Sequence, residues 1–149
     1  MTIYFYTAQG SYGCFSNFSS HGFELGDRWW PTVEHYFQAQ KFAGTHHEDL
    51  IQRVKTPKDA ARLGRDRKRP LRPDWNRVKD EIMGRGVLKK FETHADIREI
   101  LLSTLDEELV ENSPVDYYWG CGADGSGFNK MGEILMSVRS QLRNSVETQ

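Results

Sequence analysis

The chain has 149 residues, 38% hydrophobic, 12% aromatic and 28% charged, with a formal net charge of −1. That length suits one domain spanning residues 1–149, and that composition is globular rather than disordered or membrane-spanning. Near-neutral charge excludes a global field that would draw the protein onto nucleic acid or membrane, so any attraction for phosphate must be local. The start, MTIYFYTAQG, lacks a secretory pattern, and no apolar run reaches spanning length; a cytoplasmic address without membrane partners is expected. Two cysteines, Cys14 and Cys121, without CxxC spacing, make a disulfide framework or cysteine-built zinc site a poor expectation.

In chain order, Ile3 to Tyr6 reads as a short strand, being branched and aromatic. A Gly- and Ser-rich loop follows from Gln9 to Ser20. Gly22 to Trp30, with a Gly26-Asp27 turn signal, suggests a second strand or hairpin ending at Pro31. Thr32 caps a first helix over Val33 to Phe42, closed by Gly44. His46 to Lys55 forms a second, and Thr56-Pro57 opens a third that stops near Gly64. His46 and His47 are expected simply to face water, and His35 to pack inside.

Arg62 to Arg72 holds six basic residues against one acidic, with Pro70 and Pro73, and reads as a basic loop. A long helix runs from Asp74 through Phe91, its middle weakened by Gly84 and Gly86, which leaves room for a kink or break there. Ala95 to Thr104 is a further helix, Leu109 to Glu111 a short strand or extended link, and Lys130 to Leu142 a closing amphipathic helix with Met131, Ile134, Leu135, Val138 and Leu142 on one side. The sum is a helix-dominated α+β fold with a small sheet.

Two constellations carry candidate chemistry. Glu34, Gln38 and Lys41 fall at i, i+4 and i+7 on one face of the first helix. A solvated stripe has that spacing too. The aromatic flanks favour the alternative, in which apolar neighbours desolvate Glu34 and tune it for acid/base work. The second is the loop from Asp116 to Asn129, with Gly120, Gly122, Gly125 and Gly127 ahead of a helix start: a candidate phosphate cradle, though an ordinary tight loop reads the same way. Tyr117, Tyr118 and Trp119 offer faces for a heterocycle, and Asp116 adds a carboxylate. With the basic loop as a further anion contact, the parts suggest a phosphorylated ribose joined to a ring.

At these stretches the sequence resembles the NADAR family of YbiA-like proteins. The resemblance rests on Phe15-Ser16-Asn17-Phe18, Trp30 through Phe42, Gly64-Arg65-Asp66, Trp75 with Val78-Lys79, Lys90-Phe91, and Asp116 through Gly132 followed by Leu135-Met136 and Arg139. It implies a mostly helical α+β domain and an N-glycosidase acting on phosphoribosylated aminopyrimidines of riboflavin synthesis. Some members instead remove ADP-ribose from modified guanine in nucleic acid. By position, the essential carboxylates and aromatic fall on Glu34, Asp116 and Trp75. Ser126 and Phe128 stand where relatives often carry basic residues, which weakens phosphate contacts from that loop.

N-glycoside cleavage builds positive charge on the ribose and negative charge on the leaving ring. One of Glu34 and Asp116 is therefore expected to stabilise the sugar and position water, and the other to protonate or orient the ring, with Trp75 stacking on it. Lys41, if desolvated, offers a second route, attacking the sugar carbon to form a Schiff base. Substrate contacts are expected from Asn17, Phe18, Gln38, Arg65, Trp119, Gly120, Gly122, Gly125, Gly127 and Asn129. The expected partner is a phosphoribosyl or ADP-ribosyl small molecule, with ADP-ribosylated nucleic acid as the alternative. No cofactor or metal is called for, and oligomeric state is left open. A non-catalytic module binding ADP-ribose or NAD is the rival of another class.

Overall fold

The computed structural model describes residues 1–147. The chain divides into two compact units: Asn17–Lys90, and a discontinuous unit made of Met1–Ser16 with the chain from Phe91 onward.

The chain begins with strand β1 (Thr2–Phe5), which belongs to the other unit, and the Asn17–Lys90 unit opens with a hairpin of β2 (Phe23–Leu25) and β3 (Arg28–Trp30). They pair antiparallel with Phe23 opposite Trp30. Gly26 and Asp27 sit at φ 65° and 61°, the left-handed pair that a two-residue hairpin turn needs to match strand twist. Phe23 and Trp30 face inward and are almost fully buried, worth roughly 1.5–3 kcal/mol each for side chains of this size.

Three short helices follow, each started by a threonine whose hydroxyl accepts an early backbone amide. Thr32 takes His35 N–H for α1 (Val33–Gln40), Thr45 takes His47 N–H for α2 (His46–Arg53), and Thr56 takes Asp59 N–H for α3 (Pro57–Gly64). Helix α1 packs against both α2 and α3. Every residue of α1 except Gln40 is buried, so Glu34, His35 and Gln38 go inside with the apolar ones.

Helix α4 spans Trp75–Thr93 without interruption, so Gly84 and Gly86 do not break it. Gly86 has a packing reason: a Cβ there would stand 2.6 Å from the Tyr36 ring. Gly84 has nothing within 4 Å of that position.

In the other unit, β1 (Thr2–Phe5) and β4 (Glu108–Glu111) pair in parallel, Thr2 opposite Glu108. Asn112 N–H adds a bond to Phe5 O at 2.7 Å beyond the strand ends. Helix α5 covers Ala95–Ser103 and α6 covers Lys130–Glu147; α6 packs on β4 and on α5. Its inner side buries Met131, Leu135, Val138 and Leu142, while Ile134 is only half-buried. Phe15 meets Phe5 and Phe91 edge-on at ring separations of 5.8 and 6.2 Å. The fold is α+β and mostly helical, as expected, and the four strands of the described residues form two separate pairs rather than one sheet. No helix among the described residues is long and apolar enough to cross a membrane.

Candidate active site

The Glu34, Gln38 and Lys41 row is not a solvated stripe. Glu34 and Gln38 are 6% and 3% exposed, and Lys41 is half-buried just past the end of α1. Burying a carboxylate and an amine is costly unless each is held, and the neighbours supply the holding. Gln38 Nε2 donates to Glu34 Oε1 at 2.7 Å. Lys41 Nζ donates to Gly64 O at 3.2 Å and stands 6.0 Å from the centre of the Trp75 ring. Trp75 is buried, its ring tilted against Phe37 at 5.0 Å. Desolvation pushes the Lys41 amine below its usual range; Glu34 opposes that, while Arg65 and Lys79 add to it.

The chain before α1 braces its start. Asn17 O accepts Glu34 N–H at 3.1 Å, and Asn17 Nδ2 points at Met83 Sδ at 3.5 Å. Asn17 Oδ1 and Gln38 Oε1 are both buried acceptors with no hydrogen-bond partner. Phe18 is partly exposed, and Arg65 lies exposed at the end of α3. Asn17, Glu34, Gln38, Lys41, Arg65 and Trp75 thus fall within one unit, with direct contacts linking Glu34 to Asn17 and Gln38, and Lys41 to Trp75.

His35, wholly buried, is a structural pin. Its Nε2 lies 2.9 Å from Val54 O, a carbonyl that can only accept, so Nε2 carries the proton. Nδ1 then accepts from the Thr32 hydroxyl at 2.8 Å, and that hydroxyl in turn accepts His35 N–H at 3.0 Å. Burial pushes the imidazole below its usual range, against the opposing effects of Val54 O and Asp59. His47, expected only to face water, is instead 2.6 Å from Arg69 through Nδ1.

The glycine loop departs from the expected cradle. Asp116 Oδ1 accepts Tyr118 and Trp119 N–H at 2.9 and 2.8 Å, and Asp116 N–H goes to Ser113 Oγ. Cys121 N–H goes to Glu111 O and Ala123 N–H to the Tyr117 hydroxyl. From Gly125 to Met131 every amide has an acceptor within this unit. Lys130 and Met131, the opening amides of α6, donate to Tyr118 O and Trp119 O. A connection without regular structure must find partners for its own N–H groups, and those from Gly125 to Met131 turn inward rather than toward an anion.

The glycines serve that closure. Gly122, at φ 74°, lies under the Tyr117 ring where a side chain would collide, and a Cβ on Gly120 would come within 2.9 Å of Ser113. Gly127 N–H closes on Cys121 O at 2.7 Å, and Gly125 sits at φ 80°. Both ends of the Asn129 amide bond to β4: Oδ1 accepts Glu111 N–H and Nδ2 donates to Leu109 O, each at 2.9 Å. Trp119 is half-buried and packs edge-on against Tyr118 at 4.9 Å.

Sequence reasoning passed over Gly64, visible only as a helix end inside a Gly-Arg-Asp motif. It also passed over a cleft of about 330 Å³ in the unit containing β1, lined by Tyr4, Tyr6, Tyr12, Gln9, Ser11 and Asn112 among others.

The NADAR domain model matches residues 4–143. The chain belongs to the NADAR family. An N-glycosidase of Nostoc punctiforme is 58% identical to it over 97% of this chain and 94% of its own. N-glycosidase YbiA of Escherichia coli is 46% identical over 94% of this NADAR chain and 88% of its own. The NMR structure of E. coli YbiA aligns with a TM-score of 0.92 at 44% identity, covering 99% of this chain and 88% of that one. The chloroplastic riboflavin biosynthesis protein PYRR of Zea mays is 40% identical over 97% of this chain, which spans 26% of that protein.

Proposed function

We propose that this NADAR N-glycosidase, a hydrolase of N-glycosyl bonds, cleaves the bond between a phosphorylated ribose and an aminopyrimidine-type ring. The observation that carries the reading is the buried Glu34–Gln38 pair with Lys41 and Trp75 in the same unit. The Zea mays and Vibrio vulnificus relatives are named for riboflavin biosynthesis, the route that the sequence resemblance implies. Cleavage leaves positive charge on the sugar, and a carboxylate in a partly desolvated site stabilises it more than one in water. Glu34 takes that role and positions the water. Asp116, in the other unit, is held in one orientation by bonds from the Tyr118 and Trp119 amides, and its part in the reaction is left to the variant test of that residue alone. Trp75 gives the ring an aromatic surface.

Chromatography of released base from a phosphoribosylated aminopyrimidine and from an oligonucleotide bearing ADP-ribosylated guanine tests the choice. The expected kcat/KM is about tenfold or more higher for the first substrate. A higher value for the second would transfer the assignment to ADP-ribose removal, with the exposed Arg62, Arg65, Arg67 and Lys68 as contacts for its phosphates.

The lowered pKa of Lys41 favours a second route. A neutral amine attacks the sugar carbon, its proton leaves with the departing base, and the opened sugar is held as a Schiff base until water releases it. Borohydride treatment during turnover should then leave a sugar adduct on the wild type and none on Lys41→Ala. No adduct on either protein would remove this route and leave direct attack by water.

A further inference from the structure

Gln38 was expected to meet ribose hydroxyls, but its two amide ends face the protein. It lies one turn beyond Glu34 on α1, and its Nε2 is the donor to Glu34 Oε1. Its Oε1 is buried, has no hydrogen-bond partner, and abuts the α-carbon of Gly64, the last residue of α3. Any Cβ at Gly64 would collide with that oxygen and would stand 2.7 Å from both Cβ and Cδ of Gln38. Only the bare α-carbon of glycine fits, offering a C–H toward an acceptor that nothing else satisfies.

Turning the amide over would set Oε1 against Glu34 Oε1, acceptor against acceptor, so the observed orientation is the one that holds the carboxylate. The carbonyl of the same glycine accepts Lys41 Nζ at 3.2 Å. One residue of α3 therefore seats two side chains of the α1 row, and the α1 and α3 packing that brings it there is among the main contacts of the unit.

We propose that Gln38 and Gly64 are positioning residues for the N-glycosidase reaction: Gly64 seats Gln38 and Lys41, and Gln38 fixes the orientation of the Glu34 carboxylate. The inference rests on the reading of Glu34 as the catalytic carboxylate. Gln38 does not touch the substrate; it acts through Glu34. The charged groups bearing on this row are Lys41 itself, Arg65 at the end of α3 and Lys79 on α4.

The test is steady-state kinetics across pH on Gln38→Met, which keeps the volume and removes the donor, with Gly64→Ala and Glu34→Gln alongside and thermal melts to confirm folding. A positioning role lowers kcat of Gln38→Met about tenfold or more and leaves KM within about threefold, because a hydrogen bond to a charged group is lost while substrate contacts stay. The acid limb of its kcat profile moves to higher pH, since the donor that favoured the charged carboxylate is gone. Gly64→Ala, if it folds, shows the same kcat loss. A raised KM with unchanged kcat would make Gln38 a substrate contact and overturn the proposal. Turnover lost in Glu34→Gln but kept in Gln38→Met would overturn it alone, while turnover kept in Glu34→Gln would remove the reading beneath it as well.

Discussion

Single side chains show how far residue type alone leads. Glu34 and Asp116 were both selected as carboxylates, yet they are held differently, one by a side-chain amide on its own helix and the other by two backbone amides of its own loop. The second arrangement would be useful to a loop even without catalysis, and a pair of variants separates the two roles. Asp116→Asn keeps an oxygen for the Tyr118 and Trp119 amides and removes the charge. It should melt within about 0.5 kcal/mol of wild type yet lose about a hundredfold or more in kcat. Wild-type turnover by Asp116→Asn would reduce Asp116 to a loop fastener.

His35 yields a prediction about pH. Its folded-state value lies below the usual 6.5, so well above 6.5 the imidazole is neutral in both folded and unfolded chains and contributes no pH dependence. As pH falls below 6.5 the unfolded chain takes up the proton first, and stability is lost until the lowered folded value is passed. Melting temperatures measured from about pH 7 to about pH 5 should therefore fall less steeply for His35→Gln than for wild type. Equal slopes would contradict the burial argument. That His35 packs inside was legible from the sequence, because no second histidine stands at metal spacing on its helix; that it pins Val54 was not, since the partner lies on another segment.

At the scale of elements, local signals were read well and distant ones were not. The Gly26-Asp27 turn, the three threonine caps and Pro57 at the first position of α3 each act within a few residues, and each element begins where those residues put it. Spacing along α1 could not decide whether Glu34, Gln38 and Lys41 were wet or buried, because i, i+4, i+7 describes both; packing against α2 and α3 decided it. The glycine loop misled for a related reason. The amides of Cys121, Ala123 and Phe128 to Met131 close on Glu111, Tyr117, Tyr118, Trp119 and Gly120 carbonyls or side chains, and a glycine-rich stretch does not announce which way its N–H groups turn.

Helix α4 offers a paired test of the same lesson. Gly84→Ala enters open space and should stabilise by up to about 1 kcal/mol, the helix preference for alanine. Gly86→Ala meets the Tyr36 ring at 2.6 Å and should destabilise by about 1–3 kcal/mol in spite of that preference. Urea unfolding of both variants reads the two signs, and a stabilised Gly86→Ala would refute the packing reason given for that glycine.

For the whole molecule, the class was legible and the pairing of strands was not. Counting periodic segments gives a helix-rich α+β chain, but β1 and β4 pair in parallel across most of the sequence, and nothing local to either strand specifies that partner. One family model covering residues 4–143 supports the proposal of a single domain although the contacts fall into two compact units. If the proposal holds, Trp119 in one unit and Trp30 or Trp75 in the other report a single unfolding midpoint, read by substituting the remaining tryptophans with phenylalanine. Two separate midpoints would make the units independent.

The account as a whole depends on a buried carboxylate on α1 doing chemistry rather than merely filling space. Its most direct test is the rate of base release from a phosphoribosylated aminopyrimidine under single-turnover conditions by wild type and by Glu34→Gln, with melts confirming that both are folded. A loss of about a hundredfold or more in the variant is the predicted result; release within about threefold of wild type would contradict it.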